Sequence, residues 1–335
     1  MIEQGDGFDD ISGRSAARTL FMCATLLVAD AAAQAQDVPT IRFGRQTAAE
    51  DNLWLMIAKP ELARNYGKAY KVEWAQLRAS DIAFKAFEAN QVDMISTNAN
   101  VSIVAASNGV DMKIIASLSR ESANGAHTYW LGKVDGGPES IKDLKGKTIG
   151  ILGYRTGIEL WARAALKSAG LNPNTDVQWT VVPFGAAADA VRTGRVATAA
   201  APEAFAQPAL AKGDLKVLFT SKTGVPFDEE LIVINAKPSF LKQHPAAVKA
   251  FLSDLSDVTK YLAENQKEGR QALLDAKLVA MPPDIYMNVK PYVTDIKLRP
   301  NMENMVKQQE VLQSEGFVEK KVDLGSFVDT SYLPQ

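Results

Sequence analysis

The sequence contains very little cysteine and histidine: one cysteine, Cys23, and two histidines, His127 and His244. Because Cys23 lies in a segment that we expect to be removed, the mature chain would have no cysteine. That absence excludes disulfide bonds, a thiol nucleophile and a cysteine-ligated metal site. Two histidines are also too few for an imidazole-rich metal site or an extended histidine relay. We therefore expect neither a metal nor a cofactor.

Neither sign of charge dominates the chain, which has 37 basic and 39 acidic residues and a net charge of −2. Proteins that bind nucleic acid usually carry a basic surface, so no nucleic-acid partner is expected. With 335 residues and 47% hydrophobic content, the chain can bury a large core and is expected to form two domains.

The apolar run near the N-terminus, residues 19–29, is too short to span a bilayer. Two arginines precede it, and an Ala-Gln-Ala cleavage motif follows at 33–35. This order predicts a secretory signal peptide over residues 1–35, with a mature chain that starts near Gln36 and is exported. A transmembrane anchor is the alternative.

One order of strands and helices occurs twice between residues 41 and 219. In the first copy we predict strands at 41–44, 71–74, 92–96 and 112–118. Helices are predicted at 51–65 and 83–89, and residues 97–100 begin a third helix. In the second copy we predict helices at 158–169, at 186–192 and from 202 onward, and strands at 148–152, 177–179, 196–200 and 216–219. This alternation predicts an α/β fold of two lobes, each with a mainly parallel sheet flanked by helices. Chance similarity between strand–helix units is the alternative.

The rest of the chain has no counterpart in the first copy. It begins with an apolar strand at 231–235 and continues with helices predicted from 245 onward and at 267–278, 283–293 and 301–314. We expect it to form a helical tail that packs on the first lobe.

This packing would make the first lobe discontinuous. Lobe 1 would comprise residues 36–124 and 228–335, and lobe 2 residues 125–227. The chain would then cross between the lobes twice, near 120–128 and 222–230. Two such crossings form a hinge.

The loop between the strand at 148–152 and the helix at 158–169 has the composition of an anion site. The unpaired N–H groups and the dipole of a helix N-terminus attract negative charge. Arg155 would add a fork of donors matched to a carboxylate or a sulfonate, and Thr156 a hydroxyl. In the alternative, Thr156 only caps the helix and Arg155 only extends into solvent.

Several short motifs occur in a fixed order along nearly the whole mature chain, from about residue 40 to 335. They include DLKGK at 143–147, VRTGRV at 191–196, HPAAV at 244–248 and GF at 316–317. Together they resemble the nitrate/sulfonate/taurine (NMT1/THI5-like) group of ABC-transporter substrate-binding proteins, which also includes relatives that bind thiamine precursors. The resemblance implies a type II periplasmic binding protein and not an enzyme. Such a protein is a monomeric periplasmic receptor that delivers a small solute to the transmembrane subunits of an ABC permease.

The resemblance also implies which residues contact the ligand, because in that family the strand-to-helix loops face the cleft. Carried over to this chain, the ligand-binding residues are Gln46, Thr47, Thr97 and Asn98 in lobe 1 and Tyr154, Arg155, Thr156 and Glu203 in lobe 2. Glu203 could instead pair with Arg155 or cap a helix. Trp130 and Phe184 could line the pocket or belong to a core.

The implied ligand is a small organic anion, either a sulfonate or a carboxylate, aromatic ones included. Tyr154 and nearby aromatic residues favour such a ligand over nitrate. A sensory protein that presents its ligand to a membrane receptor is one alternative, and a thiamine-pyrimidine-related binding protein or enzyme is another. The glycine spacing in residues 150–157 differs from the dinucleotide-binding fingerprint, so a nucleotide-dependent enzyme is not indicated.

Overall fold

The structure is a computed structural model that describes residues 37–77, 80–279 and 281–335, so the predicted signal peptide lies outside the described residues. The strands are β1 (Thr40–Arg45), β2 (Lys71–Gln76), β3 (Met94–Asn98), β4 (Lys113–Glu121), β5 (Tyr129–Lys133), β6 (Thr148–Ile151), β7 (Gln178–Val181), β8 (Thr198–Ala201), β9 (Leu215–Thr220) and β10 (Glu229–Ala236). The α-helices are α1 (Asp51–Ala58), α2 (Ser80–Glu88), α3 (Ala99–Ser107), α4 (Gly157–Ser168), α5 (Phe184–Arg192), α6 (Glu203–Leu210), α7 (Ser221–Gly224), α8 (Pro238–Gln243), α9 (Pro245–Glu264), α10 (Gln266–Asp275), α11 (Pro283–Tyr286), α12 (Met302–Ser314) and α13 (Leu324–Phe327). Within these described ranges, no helix is long and apolar enough to cross a membrane.

These strands form two five-stranded sheets with the same internal order. The first sheet has the order β2-β1-β3-β10-β4 and the second the order β7-β6-β8-β5-β9. In each sheet, the three strands named first in this order are parallel to one another. The fourth, β10 or β5, is the strand that the chain enters after it crosses from the other lobe. It pairs antiparallel with both of its neighbours. The prediction of two lobes with mainly parallel sheets is therefore confirmed.

Strand β5 is absent from the sequence-based prediction. It is short, contains a glycine, and its partners β8 and β9 lie far downstream, so no local pattern marks it. Its Trp130 is fully buried and stacks on Phe219 of β9, with the ring centroids 4.8 Å apart. Trp130 therefore belongs to the core of lobe 2.

The helical tail packs on the first lobe, as expected. The ring of Phe251 in α9 lies 5.7 Å from the ring of Phe43 in β1. Helix α12 covers β10, and the Gln308 Nε2 donates to the carbonyl oxygen of Glu230 at 2.9 Å. The tail thus completes the core of the lobe in which the chain began.

The first helix is shorter than the predicted span of 51–65 and ends at Ala58. Proline lacks a backbone N–H and disfavours a helical conformation in the residue before it, so Pro60 stops the helix. The chain continues as a short 3-10 helix, Pro60–Leu62.

The helix predicted at 283–293 is also shorter, because only Pro283–Tyr286 is helical. Beyond it the chain runs beside β4, where the Val293 carbonyl accepts a hydrogen bond from the Arg120 N–H at 2.8 Å. Pairing with a strand edge satisfies this backbone in place of helical hydrogen bonds.

Candidate functional site

A cavity of about 500 Å³, here called the cleft cavity, lies between the two sheets at the carboxyl ends of their parallel strands. Ligands of open α/β sheets bind at this edge. The lining residues are Gln46, Thr47, Ala48, Ala49, Ser80, Asp81, Asn98, Val101, Glu121, Thr128, Leu152, Gly153, Tyr154, Arg155, Thr156, Gly157, Ile158, Trp161, Phe184, Pro202, Leu231, Ile232 and Tyr292. Both lobes and the first crossing, through Glu121 and Thr128, therefore contribute to its wall.

The cleft cavity brings together six of the eight predicted ligand-binding residues: Gln46, Thr47, Asn98, Tyr154, Arg155 and Thr156. Thr97 lies elsewhere, because successive side chains of a strand point to opposite faces of the sheet. Its buried hydroxyl contacts the Ser102 Oγ at 2.8 Å and accepts from the Asn235 Nδ2 at 2.7 Å. These bonds hold β3 against α3 and β10.

Glu203 also lies outside the cleft cavity. It begins α6 and lines a second cavity of about 580 Å³ together with Tyr129 and Lys290. Its buried carboxylate accepts a hydrogen bond from the Gln207 Nε2 at 3.1 Å, and burial raises the pKa of Glu203. Among the described residues it forms no ion pair with Arg155.

Gln46 and Thr47 belong to the loop that connects β1 to α1. The Gln46 N–H donates to the Ser96 Oγ at 3.2 Å, and the Ser119 Oγ donates to the Ala49 carbonyl at 2.6 Å. Ala49 has a φ of +65°, a left-handed conformation that turns the chain into α1. Gln46 is 8% exposed, and its Nε2 has no hydrogen-bond partner among the described residues. The wall of the cleft cavity thus contains a buried donor that is still available.

Two helix N-termini meet at the cleft cavity. Asn98 caps α3, because its Oδ1 accepts from the Asn100 N–H at 3.0 Å. Thr156 caps α4: its Oγ1 accepts from the Glu159 N–H at 3.4 Å and donates to the Gly153 carbonyl at 2.7 Å. Thr156 therefore has the capping role that the sequence left open, and it also lines the cavity.

Gly157, the first residue of α4, lies directly against the start of α3. A Cβ atom at Gly157 would be 3.1 Å from the Asn100 Nδ2 and 3.3 Å from the Asn98 Oδ1. Glycine thus allows the two helix ends to approach each other across the cleft. Because each end carries unpaired N–H groups and partial positive charge, two of them at one cavity favour an anion.

Arg155 connects lobe 2 to the helical tail. Its Nη2 donates to the Phe317 carbonyl at 2.7 Å, and its guanidinium carbon lies 5.7 Å from the centroid of the Phe317 ring. Its backbone has a φ of +56°, and its N–H donates to the Glu159 Oε2 at 2.6 Å. Lys167, near the end of α4, pairs with Glu315 at 2.7 Å. Arg155 is therefore not a freely solvated side chain, because it fastens the loop before α4 to the segment that follows α12.

Much of the remaining wall is aromatic or aliphatic, although Ser80 and Asp81 also line it. Tyr154 is 57% exposed and donates its hydroxyl to the Trp179 carbonyl at 3.2 Å, and Phe184 lies at the start of α5. The larger aliphatic members of the wall are Val101, Leu152, Ile158, Leu231 and Ile232. This surface suits the hydrocarbon part of an organic ligand.

An acidic group that the sequence did not predict lies at the hinge side of the cavity. Glu121 ends β4, Thr128 precedes β5, and the Thr128 Oγ1 donates to the Glu121 Oε1 at 2.6 Å. Nearby, the Glu229 Oε2 accepts from the Lys222 Nζ at 2.6 Å and from the Trp161 Nε1 at 2.7 Å. In the sequence, Glu121 is marked only as a charged residue just after an apolar strand, at the predicted crossing. It belongs to no motif that would predict a ligand contact.

Glu50 is the last residue of the loop that carries Gln46, and its ionisation provides a test of the burial there. Its Oε1 accepts from the Trp54 Nε1 at 2.8 Å, and its Oε2 has no partner among the described residues. Burial raises the pKa of Glu50 to about 7. Because the folded protein holds this proton more tightly than the unfolded chain, the stabilisation is present below about pH 4.5 and is lost as the pH rises through about 7.

We therefore expect Glu50→Gln, which cannot ionise, to gain stability over the wild type as the pH rises. The gain in unfolding free energy between pH 5 and pH 8 should be about 2–3 kcal/mol. Thermal unfolding of both proteins at the two pH values measures it. An equal difference in Tm at both pH values would contradict the burial of an ionisable Glu50.

Comparison with known proteins identifies the family. The family model described as NMT1/THI5 like matches residues 71–269. No curated protein matches the chain. Among solved structures, the periplasmic aliphatic sulphonate binding protein SsuA from Escherichia coli is 21% identical, with a TM-score of 0.71, and the alignment covers 86% of this chain and 97% of that chain.

Two further solved structures have the same fold at lower identity. The alkanesulfonate-binding protein SsuA from Xanthomonas axonopodis pv. citri, bound to MOPS, is 16% identical, with a TM-score of 0.70 and coverage of 87% of this chain and 98% of that chain. The periplasmic nitrate-binding protein NrtA from Synechocystis PCC 6803 is 14% identical, with a TM-score of 0.66 and coverage of 88% of this chain and 87% of that chain. The family match and the shared two-lobe architecture agree, and the chain belongs to the NMT1/THI5-like family.

Proposed function

We propose that this protein is the extracytoplasmic solute-binding receptor of an ABC importer, and that it captures a small organic anion, a sulfonate or a carboxylate, in the cleft cavity. The observation that carries the proposal is the meeting of two capped helix N-termini, those of α3 and α4, at one cavity. Anions bind at such helix ends without a metal. The likeness to sulfonate- and nitrate-binding proteins supports an anionic ligand, and the likeness to the sulfonate-binding proteins supports an organic one.

The walls favour an organic anion over nitrate. A volume of about 500 Å³ is within the range of cavities that bind small organic molecules, and much of the wall is aliphatic or aromatic. The proposed ligand-binding residues are those predicted residues that line the cleft cavity: Gln46, Thr47, Asn98, Tyr154, Arg155 and Thr156. An aromatic sulfonate or carboxylate would place its ring against Tyr154 or Phe184.

The proposed function also requires export of the protein and closure of its two lobes. The signal peptide at 1–35 would direct a monomeric receptor to the periplasm, where it would deliver its ligand to the transmembrane subunits of the permease. Lobe boundaries near 124/125 and 227/228 would place the hinge at the two crossings, so that closure brings α4 towards α3.

A thermal-shift screen of the mature chain, starting at Gln36, tests the proposal. The probes are alkanesulfonates, aromatic sulfonates, carboxylates, amino acids, nitrate and organic cations. A ligand at 100 times its Kd stabilises the folded state by about 2.7 kcal/mol, so a sulfonate or carboxylate should raise the Tm by several degrees. Shifts confined to cations, or to nitrate, would contradict the organic-anion class.

A further inference from the structure

We infer that Glu121 contacts the ligand and accepts a hydrogen bond from it, so that the solute carries a donor group, an ammonium or a hydroxyl, in addition to its anionic group. This inference rests on the proposed function and narrows its ligand class. Its basis is one buried carboxylate oxygen at the hinge side of the cleft cavity.

Glu121 is fully buried, and only half of its carboxylate is satisfied. Its Oε1 accepts from the Thr128 Oγ1 at 2.6 Å, whereas its Oε2 has no partner among the described residues. Both residues line the cleft cavity. A buried acceptor without a hydrogen bond is costly and uncommon in native proteins, so a ligand donor at this position would supply the missing bond.

The neighbouring groups do not satisfy this oxygen. The Lys222 ammonium lowers the pKa of Glu121, but its Nζ donates to the Glu229 Oε2 at 2.6 Å. The Ser221 hydroxyl is near enough to lower the same pKa, yet its Oγ is also without a hydrogen bond among the described residues. Burial outweighs these two effects and that of the Thr128 hydrogen bond, and together with the Glu229 charge it raises the pKa of Glu121 to about 7. A cationic donor from the ligand would favour the ionised form.

The donor-rich and acceptor ends of the cavity are well separated. Asn98 ends β3 and Glu121 ends β4, and β10 lies between these two strands. Two strand spacings amount to roughly 10 Å between the backbones. One end of the cavity therefore has two helix N-termini beside Asp81, and the other has the buried Glu121 carboxylate. This arrangement fits a solute with an anion at one end and a hydrogen-bond donor at the other.

Isothermal titration of the mature chain at pH 8 with matched pairs of solutes tests the inference. Each pair consists of an alkanesulfonate or alkanecarboxylate of two to six carbons and the same molecule with a terminal amine or hydroxyl, such as propanesulfonate and 3-aminopropanesulfonate. We expect the wild type to bind the donor-bearing member of the best pair about 10- to 100-fold more tightly, as a charge-assisted hydrogen bond predicts. Glu121→Gln should reduce that ratio to less than about 3-fold.

Glu203→Gln is the matched control. Glu203 is similarly buried and also has a carboxylate oxygen without a partner among the described residues, but it lines the second cavity. Glu203→Gln should keep the wild-type ratio of affinities within the best pair of solutes. If Glu121→Gln does not fold, Thr128→Val removes the hydroxyl that orients Glu121 and should lower the ratio in the same direction.

The outcomes separate this inference from the proposed function. If solutes of both kinds bind equally well to the wild type, or if Glu121→Gln keeps the wild-type ratio, the role of Glu121 is wrong and the anion site stands. If no anion of either set binds while organic cations do, the proposed function is wrong, and the inference falls with it.

Discussion

Replacing Gly157 with leucine is expected to weaken binding of the ligand by about 100-fold or more without unfolding the protein. Even a Cβ at this position would be 3.1 Å from the Asn100 Nδ2 and 3.3 Å from the Asn98 Oδ1, and leucine adds three more carbon atoms. The side chain would therefore hold α4 away from α3. Within α4 itself, leucine is a better helix former than glycine, so lobe 2 should lose no stability.

Gly185→Leu is the matched control for this substitution. Gly185 lies in the first turn of α5, is exposed, and has no atom within 4 Å of the position that a Cβ would occupy. The affinity of Gly185→Leu for the ligand should equal that of the wild type. Titration calorimetry with the strongest anion from the thermal-shift screen, together with the Tm of each free protein, measures both effects. Wild-type affinity in Gly157→Leu would show that the helix ends need not approach each other for binding.

Replacing Arg155 with alanine is expected to weaken binding by about 10- to 100-fold. The sequence predicted Arg155 as an anion donor, and the structure adds a second role. Its guanidinium donates to the Phe317 carbonyl at 2.7 Å and so joins lobe 2 to the tail. Alanine would remove both the proposed contact with the ligand and this contact between the lobes. Arg155→Lys keeps the charge but not the planar fork of donors, so its affinity should be intermediate.

The two roles of Arg155 can be separated. If the arginine only joins the lobes, Arg155→Ala should weaken the binding of an anion and of a neutral analogue of the same size equally. If Arg155 also contacts the anion, the loss of affinity should be larger for the anion. Lys167→Ala is the control, because it breaks the neighbouring, partly exposed ion pair with Glu315 and should change affinity by less than about 3-fold. Unchanged affinity in Arg155→Ala would contradict both roles.

The repeated order of strands and helices was predictable because many of its strands contain short apolar stretches and several of its helices have an apolar side. Those patterns depend only on neighbouring residues. Strand β5 was not predictable in this way, because its partners β8 and β9 are distant in sequence. The predicted ends were wrong for two helices. Pro60 stops the first helix, and pairing of the chain with a strand edge beside Val293 replaces helical hydrogen bonds in the other.

The site was predictable to the extent that it is formed by loops at strand ends. The prediction placed Gln46, Asn98 and Arg155 at one cavity, and the structure brings them there. Thr97 differs from Asn98 by one position on a strand, which reverses the direction of the side chain. Glu121 is part of no motif, and the contact between Arg155 and Phe317 joins residues that are 162 positions apart. Only the fold brings such pairs together.

Small-angle X-ray scattering tests the two-lobe capture mechanism most directly. The radius of gyration of the mature chain is measured without ligand and with a saturating amount of the best sulfonate or carboxylate from the screen, for the wild type and for Gly157→Leu. If the lobes close on the anion, the radius of gyration should fall in the wild type and stay unchanged in Gly157→Leu. An unchanged value in the wild type, or an equal fall in both proteins, would contradict closure of the two lobes around the ligand.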